Sequence, residues 1–223
     1  VKVDLIKKAI GQFKQVSQEE AHWIGGYKQD IVFQYAEHWD LERLDLASMY
    51  EEAIYSEITG RLWGGSRFSP RESMLTFLRF DPHFVRSMFR DLYSEQKDLT
   101  LRVQRFAEHA DIVAKEIKSK EGRWIDPHHD LEMISLYLAL QSPSDYTFFT
   151  YSIFKTSMEY LGSRKVPDAF EFGKFTNLSR AIFKIMTADE ELTAMYRKDR
   201  AETWQPNTMM VHDLYEFINF LQS

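Results

Sequence analysis

Nine cationic side chains fall between residues 60 and 105: Arg61, Arg67, Arg71, Arg79, Arg86, Arg90, Lys97, Arg102 and Arg105. All but Lys97 are arginine, whose planar fork of N–H donors suits phosphate oxygens and base edges. The same stretch carries five acids, Glu72, Asp81, Asp91, Glu95 and Asp98, whereas residues 17 to 59 carry ten acidic and two basic side chains. The chain is therefore locally polarised, and the cations have two possible uses. They contact phosphate, or they dress a solvated surface and pair with the acidic stretch. Trp63 and Phe68 bear on this choice, because they flank Gly64-Gly65-Ser66 next to Arg61 and Arg67. Aromatic rings among arginines can stack on a base, and the competing reading is a loop pinned to the core by those rings. Arg86 and Arg90 are four residues apart and share one helical face. The predicted DNA-contacting set is Arg61, Trp63, Arg67, Phe68, Arg71, Arg86 and Arg90, with Trp63 or Phe68 stacking on a base and Arg67, Arg71, Arg86 and Arg90 holding phosphates.

Other chemistries find little support. The sequence contains no cysteine, which removes disulfides, thiolate metal sites and Cys nucleophiles together. No glycine-rich loop ending in Lys-Ser/Thr is present to wrap a nucleoside triphosphate, and Gly64-Gly65-Ser66 lacks both the spacing and the lysine. A nucleophile elbow is missing as well. Pro167-Asp168 with Glu171 and Lys174 imitates a restriction-type nuclease centre, as do Glu95-Gln96-Lys97 and Glu116-Ile117-Lys118. Such a centre needs carboxylates and a lysine on adjoining strands, and all three segments read as helical surroundings. His128 and His129 between Asp126 and Asp130 could offer metal ligands, but adjacent residues at a helix start point about 100° apart. A capping loop with solvent-facing histidines is the expectation there. No catalytic residue, metal site or cofactor is predicted for this chain.

These residues must be positioned by helices. The composition, 44% hydrophobic and 28% charged over 223 residues with a net charge of −6, describes a globular protein. Apolar residues recur at helical spacing nearly throughout, beginning with Leu5, Ile6, Ala9, Ile10, Phe13 and Val16. Start signals follow: Asp45, then Ser69-Pro70-Arg71-Glu72, then Asp81-Pro82. Leu99 to Ile117 extends over five turns and closes at Gly122, and Met133 to Leu140 reads as a fully buried helix. Tyr146 to Tyr151 alone has strand composition, and reads equally well as an aromatic loop entering a helix. The expected fold is all-α, a single irregular domain of about ten helices over residues 1–223. It allows at most a minor strand near 146–151 and a possible subdivision near 122–130. The longest apolar run is too short to cross a bilayer, and no signal peptide is evident, so a cytoplasmic location is expected.

A resemblance adds to this reading. Tyr27-Lys28, Trp39-Asp40, Arg67-Phe68-Ser69-Pro70-Arg71, Val85 to Tyr93 with Lys97-Asp98-Leu99, Ile134 to Leu138, and Pro143-Ser144-Asp145-Tyr146 leading to Phe149-Thr150-Tyr151-Ser152 stand in a definite order. In that order and spacing, residues 27 to 152 resemble the N-terminal region of McrB-type (5-methylcytosine-specific) restriction NTPases, AAA-family proteins of bacterial defence. Gln29 and Thr150 stand where members of that family usually carry a tryptophan and a lysine. The resemblance implies a modular parent protein. Its N-terminal module reads DNA, possibly modified, or another trigger. An AAA+ motor using GTP or ATP with Mg lies C-terminal to that module, and a separate nuclease subunit cuts. On this view the present chain is the N-terminal module alone. The competing function, from another class, is a helical protein–protein interaction module that docks a partner subunit, a phage protein or the motor ring. It draws on the acidic total and the acidic 17–59 segment.

Overall fold

Five aspartates organise the helix starts. Asp45, Asp81, Asp98, Asp130 and Asp189 each accept a hydrogen bond from the backbone N–H three residues on, at 2.9 to 3.1 Å. Each satisfies a donor that the first turn leaves orphaned and places negative charge at the positive end of the helix dipole. The computed structural model describes residues 1–24, 26–54, 70–168, 171–198, 200 and 204–223. Within them lie eleven α-helices: α1 (Val3–Glu19), α2 (Gly26–His38), α3 (Leu46–Ile54), α4 (Pro70–Phe80), α5 (Pro82–Leu92), α6 (Leu99–Glu121), α7 (Leu131–Gln141), α8 (Tyr151–Tyr160), α9 (Phe172–Thr187), α10 (Glu190–Arg197) and α11 (Met209–Gln222). A short 3-10 turn spans Ala21–Trp23. The all-α expectation holds, and among the described residues there is no strand. Tyr146 to Thr150 runs as irregular chain into α8 with Tyr146, Phe148 and Phe149 buried. Its strand-like composition therefore serves packing rather than a ladder.

The helices divide into two compact units, Val1–Gly26 with Ser142–Ser223, and Tyr27–Gln141. Residues 122–130 lie inside the second.

In the first unit α11 is the central helix, packed against α1, α8 and α9. Its residues Met209 to Tyr215 are all buried, so the helix has almost no solvated face. Phe149, Phe154, Phe172, Phe175 and Tyr215 form a continuous aromatic cluster with ring centroids 4.6 to 6.4 Å apart, mostly edge-on or tilted, as the ring quadrupoles prefer. Burying the polar tips of such rings requires partners. Accordingly the Tyr196 hydroxyl donates to Asp213 at 2.7 Å, and the Tyr215 hydroxyl bonds Ser179 at 3.1 Å. Gly162 ends α8 at φ +70°, where a side chain would be strained and its Cβ would sit 3.1 Å from Leu5.

In the second unit α6 packs against α4, α5 and α7, and α3 packs against α4 and α5. Trp39 stacks on Tyr35 at 4.7 Å and meets Phe89 edge-on at 5.0 Å, and Phe89 continues to Phe106 and Tyr137. This core carries its polar tips in two short chains. Tyr35 bonds Tyr93 at 2.9 Å and Gln141 at 3.3 Å. Tyr137 bonds Tyr50 at 2.7 Å and His129 Nε2 at 3.1 Å, while His129 Nδ1 lies against the Pro127 carbonyl. His129 is thus a core residue, which corrects the expectation of two solvent-facing histidines. Its neutral ring is favoured because burial disfavours the charged form, and its pKa is lowered to about 4. Met133 to Leu140 is buried throughout, as its composition predicts.

Candidate nucleic-acid interface

The predicted DNA-contacting residues separate into two groups. Arg61, Trp63, Arg67 and Phe68 lie outside the described residues. Arg71, Arg86 and Arg90 belong to the second unit, and each already answers an oxygen of the protein. Arg71, in the first turn of α4, bonds Glu51 of α3 at 3.0 Å and its neighbour Glu72 at 2.5 Å. Arg86 and Arg90 do share a face of α5, and that face reaches the turn after α2. Arg86 donates to the carbonyls of Leu41 at 2.7 Å and Arg43 at 2.9 Å, and Arg90 pairs with Glu42 at 2.6 Å. The Arg86 fork thereby satisfies backbone acceptors of a connection that forms no helix of its own, a structural duty. Through Glu42 and Glu51, the acidic 17–59 stretch does neutralise part of the basic one.

Other cations of the basic stretch behave differently. Arg102 is 2% exposed, donates to the Leu92 carbonyl at 2.7 Å and pairs with Glu95, tying the start of α6 to the end of α5. Arg79 stands exposed at the end of α4. Lys97 and Arg105 converge on one carboxylate, Asp91. Lys97 comes from the turn between α5 and α6 and forms a hydrogen-bonded ion pair, whereas Arg105 comes from α6 and stays 3.8 Å away.

Around that carboxylate lies an open groove of about 510 Å³ lined by Ser87, Arg90, Asp91, Ser94, Lys97, Arg105 and His109. The sequence supports it locally. α5 ends at Leu92, Asp98 caps α6, and the short turn between them brings the two helices side by side. Arg105 and His109 are one turn apart on α6 and so face the same way. Three cations line the groove against a single acid, and with Arg90 answered by Glu42, Lys97 and Arg105 still leave a positive balance over Asp91 inside a chain of net charge −6. Phosphate recognition needs such a balance together with uncommitted N–H donors. Arg105 supplies those donors, since no hydrogen bond of its guanidinium is formed at 3.8 Å. Lys97, Arg105, Ser94 and His109 were not among the predicted residues. The i, i+4 pair Arg105/His109 is the sequence signal that points to this face, but only the pairing of α5 with α6 joins it to Arg90 and Lys97.

The alternative centres do not assemble. Asp126 accepts from the His128 backbone N–H at 3.2 Å, His129 turns into the core, and Asp130 caps α7. Among the described residues no group of three or more His, Asp or Glu side chains could hold a metal ion. Glu171 accepts from the Asp168 N–H at 2.9 Å and pairs with Lys174, an arrangement that braces the start of α9. No described helix is long and apolar enough to cross a membrane. Comparison with family models, with curated proteins and with solved structures returns no match to this chain.

Proposed function

We propose that this chain is a DNA-recognition module of an McrB-like restriction NTPase, acting in anti-phage defence. The observation that carries the reading is the groove between α5 and α6, where Lys97 and Arg105 gather against Asp91, with Arg90, itself paired with Glu42, at the edge. Its cations suit the phosphodiester backbone, which positions a protein on DNA without reading sequence. Base contact falls to Trp63 or Phe68, with Arg67 holding a flanking phosphate, and a modified base is the ligand class the family resemblance suggests. The module itself performs no chemistry. GTP or ATP with Mg belongs to the AAA+ motor of the parent protein, cleavage belongs to a separate nuclease subunit, and the cell compartment is the cytoplasm.

A second reading has its own observation. The pairs Arg71–Glu51 and Arg90–Glu42 spend two predicted DNA contacts inside the protein, which favours a helical interaction module that docks a partner subunit, a phage protein or the motor ring. The two readings part on salt. With about three phosphates neutralised, by Lys97, Arg105 and Arg67, log affinity should fall with log salt at a slope of about −2.7, roughly 40-fold between 50 and 200 mM. Fluorescence polarisation with plain and methylated 20-bp duplexes measures this. A steep slope supports DNA recognition, and no duplex affinity at 50 mM salt leaves the interaction module in its place.

A further inference from the structure

We propose that the α5–α6 groove is a phosphate subsite whose position is held, in the unbound protein, by the Asp91 carboxylate. Asp91 is then the residue that limits how tightly nucleic acid binds. The inference rests on the DNA-recognition reading and deepens it by naming the subsite and its internal competitor.

Charge and exposure make the argument. The Asp91 side chain is 17% exposed, whereas those of Lys97 and Arg105 are 45% and 42% exposed, so the acid sits at the floor and the cations stand at the rim. Two cations from different elements converge on one carboxylate that carries a single charge, and the site keeps a positive surplus. Lys97 is hydrogen-bonded to Asp91, but Arg105 at 3.8 Å is close enough to feel the charge and too far to form a bond. A phosphodiester oxygen pair matches the carboxylate in charge and bite, and its larger tetrahedral centre would reach the rim where the Arg105 fork is uncommitted. Ser94 adds a hydroxyl from the connecting turn, and His109 adds a ring that lines the groove and whose Nδ1 is buried without a hydrogen-bond partner. Ser87 contributes less, since its hydroxyl proton is already given to the Phe84 carbonyl at 2.6 Å.

The stability of α5 gives no reason for an acid at position 91. The residue lies in the last turn of the helix, where the dipole is negative and a carboxylate is unfavourable. Among the described residues its compensation comes from Lys97 and Arg105, the two groups that a phosphate would take over. A phosphate must therefore displace the carboxylate from its partners, and binding is weaker by the cost of that exchange. The arrangement leaves the module with modest affinity for bulk DNA.

The test is a double-mutant cycle on the full chain, read by polarisation of a labelled 20-bp duplex at 50 mM salt, with melting curves confirming that each variant folds. Asp91→Asn should tighten binding at least threefold. Lys97→Gln with Arg105→Gln should weaken it at least tenfold, and adding Asp91→Asn to that background should change nothing further, because the carboxylate then has no cations to occupy. Asp91→Ser replaces Asp91→Asn if the latter fails to fold. If the native chain binds the duplex but Asp91→Asn leaves affinity unchanged or weakens it, the subsite is wrong and the DNA reading stands. If neither the native chain nor Asp91→Asn binds, both fall. Binding by Asp91→Asn alone supports the subsite and identifies Asp91 as the reason the native chain stays free.

Discussion

Two charged clusters, one in each unit, treat charge in opposite ways. In the first, Lys14 of α1 reaches two acids at the start of α10, Asp189 at 2.9 Å and Glu191 at 2.7 Å, and its pKa is raised by those hydrogen bonds. One cation answers two carboxylates, so the site is closed to a further anion. In the second, Asp91 answers two cations, and a positive surplus faces an open groove. The Lys14 clamp joins residues about 175 positions apart and reads as a fastening between helices. The Asp91 cluster joins a helix end to the turn and helix that follow it, elements that Arg102 also ties together. Stoichiometry thus distinguishes an ion pair whose charge is fully answered from one that leaves a positive surplus.

The cores differ in parallel, and the largest expected effect lies there. His129 is held neutral in the second unit with its pKa lowered to about 4, against about 6.5 in the unfolded chain. Between these values the unfolded state binds more protons, so stability is full above pH 6.5 and falls as pH drops towards 4, by about 3 kcal/mol in all. Urea unfolding at pH 7 and pH 4.5, with an NMR titration of the His129 ring, measures it, and a ring midpoint near 6.5 would contradict the buried placement. Tyr137→Phe keeps the ring but strips the hydroxyl that joins Tyr50 to His129, and should cost about 2 kcal/mol in chemical denaturation.

The surface effects are smaller and sharpen the contrast in charge. Lys14→Met should cost about 0.5–1 kcal/mol, since the pair is only partly buried and partly screened, and should leave DNA affinity unchanged. Asp91→Asn should shift stability by no more than about 0.5 kcal/mol while altering DNA affinity. Equal stability losses in these two variants, read by melting temperature, would erase the distinction between fastening and ligand site.

How much of this was legible in sequence follows from how local each cause is. The Asp81-Pro82 start and the Gly122 stop are one-turn signals, legible in the residues themselves. Asp98 and Asp189 cap by the same rule. Arg86 could be placed on a face with Arg90, but its true partners are carbonyls 43 and 45 residues earlier, and a carbonyl has no sequence signature. His129 looked solvated because its neighbours are polar, yet its burial depends on Tyr137 and Tyr50, which only the packing of α3 against α4 and α5, and of α7 against α6, brings near. The basic character of residues 60–105 was plain, and Lys97 and Arg105 were counted within it. Their convergence with Arg90 on one groove needed the α5–α6 pairing.

The claim that nucleic-acid phosphate enters this groove is tested most directly by NMR of the full chain during titration with a 20-bp duplex at low salt. Side-chain signals of Arg105 and Arg90, the Lys97 ammonium group and the His109 ring should shift together, with the Lys14 signal unmoved. Shifts that spare all four groove residues, or that gather at Lys14 and α10, would contradict the account.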